Sequence, residues 1–175
     1  MNECGYAFRL VGIDTNKSDD FQKDTLVYSF ESLKSGHNYI VHVERYQYNL
    51  HCVKFFDNTT HDGTGKFSQL SLTYEPRMIF RTIVEIALDV LRKNRRASFM
   101  YIGAADQKDK RTLPTRRYRV YKQYMADFDL HEWFEPADFE EYSMCVLVNR
   151  EAMPTLDERM TFLNRILNFV NSINE

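Results

Sequence analysis

The chain has no apolar run approaching the roughly 18 to 20 residues that a membrane-spanning helix needs, and Met1 to Asp20 has neither a basic start nor an apolar core. A membrane partner and a secretory leader are therefore not expected, and the expected location is cytoplasmic. Cysteine is scarce: Cys4, Cys52 and Cys145 are odd in number and far apart, which excludes a paired zinc or redox spacing and leaves free thiols. The five histidines, His37, His42, His51, His61 and His131, show no metal-like spacing, and His61-Asp62 beside Gly63 reads as a turn, so no metal is expected. Serine nucleophile elbows, HExxH and P-loop patterns are absent, as are internal repeats and low-complexity tracts.

What is present is globular. Apolar residues make up 43% and aromatics 14% of the 175 positions, with 11 Tyr and 13 Phe, which suits a sizeable core. That length fits a single domain over 1–175 and is short for two.

The organising stretch reads as helix, strand, helix. In Ile79 to Arg92, the residues Ile79, Ile83, Ile86 and Val90 recur at helical spacing beside Phe80, Val84, Ala87, Leu88 and Leu91. Arg81, Glu85, Asp89 and Arg92 leave only a narrow polar stripe, so this helix is expected to be mostly buried. Ala97 to Gly103 predicts a strand ending at its glycine, and a second helix is expected from about Pro114 to Met125. Upstream, Tyr6 to Ile13, Leu26 to Phe30, Tyr39 to Arg45, Tyr48 to Phe56 and Phe67 to Tyr74 predict an antiparallel meander, with turns at Ser35 to Asn38 and Asp62 to Gly65. Downstream, Asp127 to Glu141 carries seven carboxylates and no Lys or Arg, which reads as an acidic loop pinned by Phe128, Trp133, Phe134 and Phe139. Tyr142 to Asn149 predicts a strand covered on both faces and paired beside Ala97 to Gly103. The last helix opens on a capping box, Thr155 with Glu158, and runs to about Ile173. Its apolar residues cover about half its circumference. That is enough for core packing and also for a homodimer or protein-partner surface along Leu156 to Ile173.

The expected fold is α+β, a single mixed, mostly antiparallel sheet with packed helices. The order of strands, long helix, strand, helix, strand resembles the GCN5-related N-acetyltransferases, whose sheet parts between two central strands to admit acetyl-CoA. That resemblance implies a general-acid role for Tyr121 in Tyr121-Lys122-Gln123-Tyr124-Met125. The family's glycine-rich pyrophosphate loop would lie between Tyr74 and Arg81, where the chain reads YEPRMIFR and has no glycine. Such glycines let backbone amides come close to phosphate. A wider set of segments, YSFESLKSG, YNLHCVKFFD, FMYIGAAD, RRYRVYKQYM and EEYSMCVLVNRE, is similar to a family of small Bacteroidetes-type proteins; this second resemblance implies a fold and not an activity.

Charge is sorted along the chain. Eleven Lys or Arg and only two acids lie from Arg92 to Lys122, in a protein of net charge −2. The block falls at the end of the first helix, in the loop containing Lys108, Lys110 and Arg111, and on the second helix. Arg111, Arg116, Arg117, Arg119 and Lys122 are the candidate residues for an acidic or phosphate-bearing partner, with interleaved tyrosines suited to stacking on nucleic-acid bases. The alternative is a solvated face neutralised by the acidic segment. Glu44 and Glu75 are further candidates, as general bases if the strands open at a cleft. The sequence thus favours a non-catalytic binding or regulatory module without a cofactor. The alternatives are an acyl-CoA-dependent N-acyltransferase, which would bind acetyl-CoA, and a nucleic-acid-binding protein.

Overall fold

The computed structural model of the chain describes residues 4–59, 75–105 and 113–174. The apolar period of the organising helix is realised as α1 (Pro76–Lys93), which buries Ile79, Phe80, Thr82, Ile83, Val84, Ile86 and Val90. An apolar stripe this wide has to be covered by something equally apolar, and the strands supply it. Seven strands, β1 (Phe8–Asp14), β2 (Gln22–Glu31), β3 (Asn38–Tyr46), β4 (Leu50–Asp57), β5 (Ser98–Ile102), β6 (Phe134–Phe139) and β7 (Met144–Asn149), form one mixed sheet in the order β1-β2-β3-β4-β5-β7-β6. Neighbours are antiparallel except β4 and β5, which α1 connects as a parallel pair. The fold is therefore α+β, as expected. The anticipated strand at Phe67 to Tyr74 and the turn at Asp62 to Gly65 lie outside the described residues.

Period-two alternation sorts the sheet into two cores. Tyr39, Val41 and Val43 of β3 and Phe99 of β5 face α1, together with Ile79, Ile83, Ile86 and Val90. Met100, Val146 and Val148 face the opposite way and meet α3 (Leu156–Ile173). The near-continuous apolar run of β7 is explained by this double cover, since Leu147 packs with the first core while its neighbours fill the second. The helix α2 (Arg116–Met125) lies on the α1 side, where Phe80 meets the rings of Tyr121 and Tyr124 at centroid distances of 5.1 and 4.9 Å.

One expectation is overturned. The segment Asp127 to Glu141 is not simply an acidic loop, because its second half is β6, paired with β7 from Phe134↔Asn149 to Phe139↔Met144. Carboxylates and Pro136 lower intrinsic strand propensity, but an edge strand needs hydrogen bonds on one side only and keeps its charges in water. The capping box of α3 forms as read, with Thr155 Oγ1 accepting from the Glu158 amide at 3.2 Å and Glu158 accepting from the Thr155 amide at 3.0 Å. Only Phe162, Ile166 and Val170 of this helix are buried, while Phe169 stacks on Phe21 at 4.3 Å. Leu156, Met160 and Ile173 remain exposed, so most of the wide apolar face is taken up within the chain. No described helix is long and apolar enough to cross a membrane.

His51 provides a pH prediction. It is 2% exposed, its ring lies 5.5 Å from that of Phe99, and its Nδ1 is 2.9 Å from the Asn49 carbonyl oxygen. Burial holds its pKa below the ordinary 6.5. The folded protein therefore binds fewer protons at this site than the unfolded chain. The associated stability is fully present above the unfolded pKa and is lost as pH falls through the depressed folded value. Between about pH 7 and about pH 5 the urea midpoint of the wild type is expected to fall more than that of His51→Asn, and equal falls in the two proteins would refute the assignment.

Candidate functional site

The parallel contact between β4 and β5 is short. It comprises Leu50↔Ser98, His51↔Phe99 and Cys52↔Met100, after which β4 continues to Asp57 and β5 to Ile102 without pairing to each other. Bulky side chains fill the fork: Phe55 and Tyr101 come from the diverging strands, and α1 and α2 roof them with Phe80 and Tyr121. The Tyr121 ring lies 5.9 Å from Phe55, 5.1 Å from Phe80 and 6.1 Å from Tyr101. A narrow cavity of about 70 Å³ remains between these rings, with an almost wholly apolar lining. Burial pushes the Tyr121 hydroxyl up to about 12, with Arg117 pulling weakly the other way, so this tyrosine keeps its proton at neutral pH.

The N-terminus of α1 sits against the N-terminal segment and the β2–β3 turn. Pro76 occupies its first turn and has no amide hydrogen to offer. The Met78 and Ile79 amides both donate to the Glu75 carbonyl, at 3.1 and 3.3 Å. Glu75 itself is 7% exposed, and its carboxylate accepts hydrogen bonds from the Tyr6 and Ser32 hydroxyls. Glu75, a candidate base only if strands open at a cleft, is a buried tie between the N-terminal segment, the β2–β3 turn and α1. Glu44 is likewise engaged, accepting from Lys54 at 3.0 Å and from Tyr46 at 2.8 Å.

A second cluster lies on the α2 face of β5, β6 and β7. Tyr118 donates to Asp138 at 2.5 Å and Lys122 donates to the other carboxylate oxygen at 3.0 Å. Burial pushes the Asp138 carboxyl upward, but these two hydrogen bonds outweigh it and hold the group below the usual carboxylate range. Cys145, also hydrogen-bonded to Tyr101, is pushed up to about 12 by burial and is no thiolate nucleophile at neutral pH. Beside this cluster opens a cavity of about 460 Å³ between the end of α2, the turn Asp127 to His131 and the β6–β7 edge. Sequence reading missed it. The i, i+4 spacing of Tyr118 and Lys122 puts both on one side of α2, but nothing local announces that Asp138 lies opposite.

Among the described residues, the basic block is not gathered into one face. Arg92, Lys93, Arg95 and Arg96 precede the first residue of β5, whereas Arg116, Arg117, Arg119 and Lys122 follow its last, so the strand separates the two groups. Arg116 and Arg119 are exposed, but Arg117 is 2% exposed and belongs to the interior. Lys93 pairs with Asp89 at 2.6 Å, Arg95 with Glu151 at 3.0 Å and Lys122 with Asp138 at 3.0 Å. Arg111, Lys108 and Lys110 lie outside the described residues. Cys52 and Cys145 are buried free thiols and Cys4 is an exposed one, and no group of three potential metal ligands occurs among the described residues. Comparison with protein-family models, with curated proteins and with solved structures finds no match to this chain.

Proposed function

We propose that this protein is a non-catalytic binding or regulatory module built on a scaffold like that of the GCN5-related N-acetyltransferases. The scaffold reading is supported by the sheet order, by the single parallel contact at β4 and β5, and by the parting of those strands after three residue pairs. The observation that carries the non-catalytic reading is the start of α1. A pyrophosphate held there needs several free backbone amides and room for close approach. Pro76 lacks the first amide, and the amides of Met78 and Ile79 are taken up by the Glu75 carbonyl. The roughly 70 Å³ left between the rings of Phe55, Phe80, Tyr101 and Tyr121 is also small for a pantetheine arm.

The expected result of titrating the protein with acetyl-CoA in a calorimeter is no binding in the micromolar range. Micromolar or tighter binding that is weakened by Arg81→Ala would overturn the reading. An acyltransferase remains the second reading because one observation favours it: Tyr121 reaches the fork from α2 with its proton retained, as an acid for a departing thiolate must. Under that reading thiol is released from acetyl-CoA in the presence of an amine, and Tyr121→Phe abolishes the release while leaving acetyl-CoA bound. Under the binding-module reading neither protein releases thiol.

A further inference from the structure

We propose that the outer edge of β1 is an interface for a second copy of this chain, paired antiparallel across a two-fold axis so that the two sheets join into one. Among the described residues β1 ends the sheet and pairs only with β2. Every residue of the strand after Phe8 is exposed, and Leu10, Val11 and Ile13 are 45, 58 and 54% exposed. The opposite end of the sheet is protected. There β6 carries Pro136, and its Glu135 and Asp138 are held in ion pairs by Arg150, Arg159 and Lys122. Proline and charge are devices that stop an edge from pairing with another chain. Between Arg9 and Asp14, β1 has neither.

A bulge can blunt an edge too, and β1 has one between Leu10 and Gly12. Its consequence here is a self-complementary pattern. Arg9, Gly12 and Asp14 stand opposite Ser29, Val27 and Thr25 of β2, whereas Leu10 and Ile13 stand opposite Tyr28 and Leu26. Tyr28 and Leu26 belong to the core under α1, so Leu10 and Ile13 extend that apolar face past the cover of the helix, and Arg9 and Asp14 share the other face. Counted by their partners on β2, Arg9 and Asp14 lie two rungs either side of Gly12, and Leu10 and Ile13 lie one. A second copy running antiparallel and centred on Gly12 therefore sets Arg9 opposite Asp14 and Leu10 opposite Ile13, each twice. Pairs of opposite charge and pairs of aliphatic side chains are both favourable directly across a ladder. Arg9 has no ion pair among the described residues. Asp14 uses only Oδ1 locally, accepting from the Asn16 main-chain and side-chain amides at 2.9 and 2.8 Å. An extended peptide of another protein would gain the same backbone hydrogen bonds, but the sign pattern is one that this strand matches with itself.

An interface of one strand edge belongs to the small class, below about 1,200 Å², so the dimer is weak and reversible. Sedimentation velocity of the full chain is expected to show monomer at about 1 μM and dimer at about 300 μM, with amide exchange in β1 slowed at the higher concentration. Arg9→Asp and Asp14→Arg, both at exposed positions, are each expected to weaken self-association by about tenfold or more, because like charges then face each other. Mixed in equal amounts, the two variants are expected to associate with each other as the wild type does with itself. Leu10→Lys leaves both charges in place and is expected to prevent association; it decides the matter should a charge variant not fold. A wild type that stays monomeric at the higher concentration, a dimer indifferent to Arg9→Asp and Leu10→Lys, or folded charge variants that fail to associate on mixing would each overturn the proposal. A dimer lost on Met160→Glu and kept on Leu10→Lys would place the contact on α3 and would overturn it as well. Two strands separate β1 from β4 and the fork, so the acetyl-CoA titration tests a different surface and either reading can fail without the other.

Discussion

Replacing Gly103 with alanine is expected to lower the stability of the protein by about 3 kcal/mol, the upper part of the range for forced overpacking. Gly103 follows β5 directly beneath the first turn of α2, and a Cβ there would lie 2.6 Å from Tyr118 Cα and 2.7 Å from Tyr118 Cβ. The obstacle is a helix backbone, which cannot swing aside as a flexible side chain can. Nor is the helix free to lift. Thr115 Oγ1 donates to the Gly103 carbonyl at 2.6 Å, the Gly103 amide donates to Ser143 at 2.9 Å, and the Thr115 amide donates to Ser143 Oγ at 2.9 Å. Thr115 also caps α2 by accepting from the Tyr118 amide at 3.2 Å. Relief of the clash must break part of this knot, and it moves Tyr118 and Tyr121 away from the face they share with Tyr101. Gly12→Ala is the matched control, because a Cβ there meets nothing within 4 Å. Urea unfolding compares the two, and a Gly103→Ala midpoint equal to that of wild type would show that α2 is not seated as described.

Glu75→Leu is expected to cost about 3 kcal/mol or more, with Glu75→Gln losing less. The leucine removes the acceptor on which the Tyr6 and Ser32 hydroxyls both depend, and Ser32 is wholly buried. Two buried hydroxyls would then be left without their partner, while the glutamine keeps one acceptor oxygen in place. The loss should show as a lowered urea midpoint at unchanged slope, and hydrogen exchange should speed first at the β2–β3 turn and the first turn of α1. Leucine giving a protein as stable as glutamine would mean that the carboxylate contributes nothing beyond its volume.

Glu75 also shows where sequence reading stops. In YEPRMIFR the absence of glycine and the presence of Pro76 are both visible, and with them the poor match to a phosphate-binding loop. That Glu75 is buried is not visible, because its partners Tyr6 and Ser32 lie 69 and 43 positions away along the chain. The basic block is a similar case. Its count is a property of the sequence, but its division into two groups follows from the five-residue strand β5 between them. Arg117 and Arg119 are the same letter and face opposite environments, one interior and one exposed.

What the sequence determined by itself is local or periodic. The helical repeat of Ile79, Ile83, Ile86 and Val90, the Thr155 and Glu158 box, and the alternation of Tyr39, Val41 and Val43 each act within a turn or a strand, so each can be read from neighbours. Only the tertiary structure decided the rest. It made an edge strand of an acidic proline-containing segment, because pairing with β7 outweighs weak local propensity. It brought Asp138 to Tyr118 and Lys122, and set the aromatic fork and the carboxylate-lined cavity side by side. Such sites consist of side chains from different elements that face one another, and that juxtaposition exists only once two layers of structure have packed across a common sheet.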